Sequence, residues 1–166
     1  MPQIIHVRDE ADAADVRILV GEFVGWLVER YPDDRERIAA YFKAQNLEKQ
    51  LRDLLMIFCP PKADCLLARV GGEAAGVVML KPHSEGTCEM NRMFVRSSAR
   101  GRGVGRALVA ELLETARSLG YRRMLLAAGP HHTEALALYR SFGFVEDSSL
   151  PDTGAGDVEL RMFREL

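Results

Sequence analysis

From residue 11 to residue 30, apolar side chains return every three or four positions: Val16, Leu19, Val20, Phe23, Val24 and Leu27. That period lays an apolar stripe along an amphipathic helix and predicts a helix over 11–30 with one face on a core. Residues 3–8 alternate weakly before it and read as a short opening strand. Pro32-Asp33-Asp34 breaks the helix, and Asp34 is placed to cap the next one. Ile38, Tyr41 and Phe42, then Leu47, Leu51, Leu54, Leu55 and Phe58, continue a helical period as one long helix or two short ones. Pro60-Pro61 ends it.

The pattern then changes. Residues 65–70 are an apolar run closed by Gly71-Gly72, a hairpin signal. Strands follow over 74–80 and 87–95, with a turn at 82–86 between them, which predicts an antiparallel meander. Helical periodicity returns over 103–119 through Val104, Leu108, Leu112, Ala116 and Leu119, with Gly120 at the C-terminal cap position. Residues 122–128 read as a buried strand, 132–142 as a helix closed by Gly143, and Phe144-Val145 as the start of a strand. A polar loop over 150–157 leads to a last strand over 158–163. The order β-α-α-β-β-β-α-β-α-β-β predicts one mixed α+β domain without internal repeats.

Composition narrows the classes. A chain of 166 residues suits a single domain with a sizeable core. It holds no apolar run of membrane-spanning length, and its first residues lack a signal-peptide pattern, so a cytoplasmic protein is expected. Cys59, Cys65 and Cys88 are odd in number and lack C-x-x-C spacing, which argues for buried thiols in a reducing compartment and against a zinc site. His131 and His132 are adjacent and cannot share a helix face as metal ligands, so no metal is expected there. His6 and His83 read as surface histidines. A net charge of −2 argues against a general nucleic-acid binder.

The charge is nevertheless uneven. Five arginines (92, 96, 100, 102 and 106) and no acid fall between Met90 and Ala110. In Arg100-Gly101-Arg102-Gly103-Val104-Gly105-Arg106, a glycine-rich loop leaves a strand and opens a helix. Helix N-termini present unpaired N–H groups and partial positive charge, glycine lets phosphate oxygens approach the backbone, and arginine adds charge-assisted hydrogen bonds. A pyrophosphate fits that chemistry. A nucleoside-triphosphate loop is excluded because no Lys follows the glycines. A dinucleotide fold is excluded because position 106 is Arg and the next strand ends in Ala127-Ala128-Gly129 without an acid.

The pattern [R/Q]-x-x-G-x-[G/A] at 100–105 resembles the coenzyme A pyrophosphate loop of the GNAT superfamily of N-acetyltransferases. Residues 88–95 upstream are similar to the family's fourth strand, and residues 135–144 downstream match its A-x-x-L-Y-x-x-x-G-F signature. The resemblance is strong over 64–147. It implies a GNAT-like mixed, mostly antiparallel sheet of six or seven strands flanked by helices. It implies one domain, with residues 1–63 on the acceptor side, 64–147 as the coenzyme A core and 148–166 as a loop and last strand. It also implies transfer of an acetyl group from acetyl-CoA to a primary amine, by direct attack. In that reading Met93 and Val95, flanking Phe94, hold the pantetheine by backbone. The loop Gly101, Arg102, Gly103, Val104, Gly105 and Arg106 holds the pyrophosphate, with Arg100 acting by side chain or by shaping the loop. Tyr139 is the acid that protonates the leaving thiolate, and Glu89 is the base, directly or through water.

Two readings of Glu89 stay open, the second being a solvated or salt-bridged strand carboxylate, with Arg92 as one candidate partner. His132 stands where many relatives place a cofactor-contacting Asn. Tyr31, Asp33, Asp34 and Tyr41 are candidates to line the acceptor pocket. The acceptor is expected to be a small-molecule amine, with neither nucleic acid nor membrane as partner. A homodimer through an exposed strand edge near 158–163 is left open. The competing readings are an acyl-CoA sensor of the same fold without turnover, and an interaction protein whose arginines bind an acidic partner.

Overall fold

In the computed structural model, which describes residues 1–130, 132–150 and 159–166, seven strands form a single sheet. His131 and most of the expected 150–157 loop lie outside the described residues, as does the expected start of the last strand at Val158. The chain runs β1 (Gln3–His6), α1 (Glu10–Arg30), α2 (Arg35–Ala44), α3 (Leu47–Arg52), α4 (Leu54–Ile57), β2 (Asp64–Val70), β3 (Glu73–Ser84) and β4 (Thr87–Val95). It continues through α5 (Val104–Ser118), β5 (Arg123–Ala128), α6 (Thr133–Ser141), β6 (Val145–Glu146) and β7 (Leu160–Glu165). The sheet order is β1-β2-β3-β4-β5-β7-β6. Every pair is antiparallel except β4–β5. The mixed, mostly antiparallel sheet flanked by helices is the expected class.

Both faces of the sheet are covered, which is why β2 and β3 read as apolar runs rather than alternations. Leu66, Val78 and Leu80 point to the α5 face with Leu108 and Leu112. Leu67, Val77 and Met79 point to the α1 face with Val16, Leu19 and Phe58. Each such leucine, fully buried, contributes about 1.5–3 kcal/mol.

Several expectations are corrected by long-range pairing. The 38–58 stretch is three helices, because Asn46 takes a left-handed φ of 59° between α2 and α3 and Asp53 interrupts α3 and α4. Asp34 stands at the N-cap of α2 but its side chain makes no cap bond; it pairs with Arg37 at 2.8 Å instead. Strand β3 runs through Pro82 to Ser84, so the turn is confined to the residues just before Thr87. Past Leu80 its β2 neighbour has ended, and a residue without N–H is tolerated on that free side. Strand β7 is not an edge: it is paired with β5 along its length and with β6 at Met162 and Phe163. His6 is not a lone surface histidine. Its Nδ1 lies 2.8 Å from the Oδ2 of buried Asp64, which also accepts from Arg8 at 2.7 and 3.0 Å and from the Cys65 amide at 2.8 Å. Burial works to raise the Asp64 carboxyl, but these donors together hold it below its ordinary value.

Candidate active site

Strands β4 and β5 are paired only at Thr87–Glu89 against Arg123–Leu125. Beyond that point they continue to Val95 and Ala128 without pairing, and the gap between them floors a cleft of about 960 Å³. Helices α1 and α2 wall one side; α6 and the N-terminus of α5 wall the other.

A β-bulge divides β4 in two. Met79 faces Asn91 and Val77 faces Phe94, so β4 carries one more residue than β3 across this step. Arg92 lies in it with φ 53°, in the left-handed region. The bulge reverses the alternation of side chains. Glu89 and Asn91 lie out of phase with Cys88 and Met90 and so face α1, whereas Met93 and Val95 pack toward the α5 face. In an unbroken strand Glu89 and Val95, six positions apart, would share neither the opposite faces nor the separate neighbours they have here.

The backbone beyond the bulge alternates as well. The Arg96 amide donates to Ala75 of β3 at 2.9 Å, so Phe94 also turns its backbone to β3, while Met93 and Val95 turn theirs to the gap. Phe94 itself is buried, with its ring 5.6 Å from that of Phe23. The Val95 carbonyl accepts from Arg100 Nε at 3.1 Å.

At the start of α5, Gly103 takes φ 78° and offers no side-chain cap, which leaves the first amides of the helix unsatisfied by side chains. Only glycine adopts this conformation cheaply. Gly105 allows close packing: a Cβ there would lie 3.2 Å from Leu138 and 3.4 Å from Met93. Gly101, Gly103, Val104, Gly105 and Arg106 all line the cleft, as an anion cradle would. The arginines divide. Arg96 is held by Glu22 at 2.8 Å and belongs to the scaffold. Arg92 faces the α1 side. Arg100 lies over the Trp26 ring at 5.2 Å and shapes the loop, and Arg106 lies over Phe142 at 5.0 Å. Arg102 is exposed.

Tyr139 lines the cleft from α6, its ring 6.1 Å from that of Phe144. Burial raises its phenol well above the ordinary tyrosine value, so it stays protonated at neutral pH. Glu89 lines the cleft from the opposite face. It is 5% exposed, accepts from Asn91 Nδ2 at 3.1 Å and lies 3.8 Å from Lys81 Nζ. It is therefore not solvated, and the salt-bridged reading holds with Lys81 as the partner rather than Arg92. His132 lies between the rings of Trp26 and Tyr31, 5.6 Å from each. Tyr31, Asp34 and Tyr41 line the cleft; Asp33 is exposed and lies away from it. Burial raises the Tyr41 phenol, against the pull of neighbouring Arg92. The cysteines lie outside the cleft. Cys65 and Cys88 are buried, and burial pushes Cys88 up to about 12, so neither supplies a thiolate at neutral pH.

Sequence reasoning missed Trp26, Arg37 and Asn91 as lining residues, and it placed Arg92 with the anion loop. Asn91 and Arg92 are turned by the register of β4 on β3, and Trp26 and Arg37 by the packing of α1 and α2 over the sheet, neither of which a local pattern carries.

Comparisons with known proteins bear on the family and the fold. A family model described as the acetyltransferase (GNAT) family matches residues 20–144. An uncharacterized N-acetyltransferase of Schizosaccharomyces pombe is 37% identical over 143 residues, covering 85% of this chain and 81% of that protein. An IAA acetyltransferase of Azospirillum brasilense is 28% identical over 167 residues, covering all of both. The crystal structure of a PaiA N-acetyltransferase from Thermoplasma acidophilum in complex with coenzyme A shares the fold. Its TM-score is 0.73 at 13% identity, over 99% of each chain. Among the described residues, no helix is long and apolar enough to cross a membrane.

Proposed function

The chain belongs to the GNAT family of acetyltransferases and is an N-acetyltransferase, and from that premise we propose that it moves an acetyl group from acetyl-CoA to the primary amine of a small molecule by direct attack. The observation that carries the proposal is the uncapped, glycine-entered N-terminus of α5 opening onto the same cleft as a buried, protonated tyrosine.

The cofactor fits the residues present. Amides of Gly103, Val104, Gly105 and Arg106, with Gly101 and Arg102 beside them, take the pyrophosphate. Backbone groups of Met93 and Val95, which face the gap between β4 and β5, take the pantetheine amides as an added strand would. Phe94 supports this edge from behind, Arg100 fixes its end through the Val95 carbonyl, and His132 borders the mouth.

Glu89 accepts a proton from the acceptor ammonium, directly or through a water, because an amine with pKa near ~10.4 must be neutral to attack. The nitrogen lone pair then attacks the thioester carbonyl carbon. The C–S bond breaks, the departing sulfur takes the Tyr139 proton, and the second proton of the attacking nitrogen passes, directly or through water, to the tyrosinate, giving an amide, free coenzyme A and a restored phenol; Glu89 then releases its proton to solvent. The bulge lets one strand deliver Glu89 from the α1 face while Tyr139 approaches from the α5 face. Absence of a thiolate at Cys65 and Cys88 supports direct transfer over an acyl-cysteine route. Residues 1–63 act with Glu89–Arg92 as the acceptor half and 64–147 otherwise as the cofactor half, while β7 lies between β5 and β6.

The test is thermal unfolding with acetyl-CoA, coenzyme A and ATP, followed by thiol release in an amine panel. At a hundred times its Kd, acetyl-CoA should stabilise by about 2.7 kcal/mol, on the order of 5–10 °C at this size. Coenzyme A should do nearly as well and ATP little. Equal shifts with ATP, or none with a folded protein, would overturn the cofactor assignment. Binding without turnover across the panel would overturn the transfer.

A further inference from the structure

Among the described charged residues that line the cleft, only Glu89 and Arg92 are buried, and the acetyl-transfer chemistry does not use Arg92. It occupies the β4 bulge in a left-handed conformation that is costly for a residue with a side chain. It is only 6% exposed. A guanidinium stays charged at neutral pH and carries several N–H donors. The groups in direct contact with it are neutral: the face of Phe42 at 5.2 Å, the Tyr41 hydroxyl, and Gln50 Oε1, which accepts from Nη2 at 3.2 Å; Glu89 acts on it only through its field. Its buried Nε has no acceptor. Among the described residues, no carboxylate forms an ion pair with it. Glu89, the acid on its own strand, is turned to Asn91 and Lys81.

Other arginines at the cleft are placed differently. Arg37 pairs with Asp34, and Arg100 and Arg106 are exposed to water. A buried cation without an ion pair is expensive, and burial lowers its affinity for the proton against the opposing pull of Glu89. Packing alone gives no reason to keep one here, since an uncharged side chain of similar length could cover Phe42 and reach Gln50.

Resting on the acetyl-transfer reading above, we infer that Arg92 binds a carboxylate of the acceptor, and that the acceptors are amino acids rather than simple amines. The guanidinium fork suits a planar carboxylate held by paired hydrogen bonds. The wall it shares is amphoteric. Glu89 and the donor-less Oδ1 of Asn91 offer acceptors for an ammonium, and Arg92 offers donors for an anion. A zwitterion matches both ends. A polyamine or aminoglycoside would offer Arg92 a further cation and no anion.

The experiment measures equilibrium binding first, so that it does not depend on turnover. The full chain is saturated with free coenzyme A and unfolded thermally with common L-amino acids, each against its α-amide. Aspartate against asparagine and glutamate against glutamine separate a side-chain carboxylate from the α-carboxylate. At least one carboxylate form should bind about ten- to hundred-fold more tightly than its amide. R92Q should reduce that preference to within about two-fold, and R92K should retain part of it, keeping the charge without the fork. R92K also serves if R92Q fails to fold.

Equal binding of acids and amides by the native chain, or no binding of either, overturns the inference. So does a preference that survives R92Q. Thiol release from acetyl-CoA, measured on the same preparations, keeps the two readings apart. A carboxylate preference in binding without turnover sinks the transfer and leaves the acceptor class standing. Turnover of amides as fast as acids does the reverse.

Discussion

The two arms of the cleft are made by different means. The arm at α5 is backbone: successive amides between residues 101 and 106, shaped by a glycine with positive φ and an uncapped helix start. The arm beneath α1 and α2 is side chain: Glu89, Asn91 and Arg92 from β4, Tyr41 and Phe42 from α2, Gln50 from α3 and Lys81 from β3. A backbone site recognises something common to many substrates and tolerates change in its side chains. A site assembled from distant side chains is specific, and one substitution rewrites it. On the proposed function, the molecule keeps the part that binds a shared cosubstrate apart from the part that chooses an acceptor.

Tyr139→Phe acts where the arms meet and should have the largest effect. Turnover should fall about 10²- to 10⁴-fold while stabilisation by acetyl-CoA is unchanged. Because burial holds this phenol above its ordinary value, it remains an acid as pH rises and the amine loses its proton. The native rate should therefore climb with pH without a falling limb from Tyr139 below about 10. A falling limb near neutrality that vanishes in Tyr139→Phe would remove its assignment as acid.

Gly103→Val tests the backbone arm. A β-branched residue at φ 78° strains the loop by about 1–3 kcal/mol, which translates to roughly ten- to hundred-fold weaker acetyl-CoA binding by titration. Amino-acid preference at saturating coenzyme A should survive.

Asp64→Asn touches neither arm and calibrates global effects. Asp64, the first residue of β2, is buried but its partner Arg8 is half exposed, so the loss should be about 2 kcal/mol, or several degrees in Tm. The folded carboxyl titrates below its unfolded value. Its stabilisation is thus complete above the ordinary carboxylate range and is lost as pH falls through the folded value. Asp64→Asn should flatten the acid limb of Tm against pH; an unchanged limb would assign acid unfolding elsewhere.

Arg102→Ala should be smallest, at most about five-fold in acetyl-CoA affinity, as for an exposed charge. If it exceeded Gly103→Val, the α5 arm would work by side chains and the contrast between the arms would collapse.

The same contrast explains what the sequence made legible. The loop at 100–106 and Tyr139 sit in contiguous patterns, so spacing and resemblance located them. The meander, α5 and the C-terminal order of elements followed from local period. Arg92 did not: five arginines between Met90 and Ala110 looked like one anion-binding group, and only register against β3 turned Arg92 to the other arm and gave Arg96 to Glu22. Pairing of His6 and Arg8 with Asp64, the insertion of β7 beside β5, and the extension of β3 through Pro82 likewise depend on partners distant in sequence.

The extra residue in β4 also bears on how such an enzyme can diversify. Without it, positions 89 and 91 would share a face with 93 and 95, and each change fitted to a new acceptor would press on the thioester. With it, a single strand carries two independent reading phases. Mutations in one phase can drift, and new specificities can be tried, while the other stays constant.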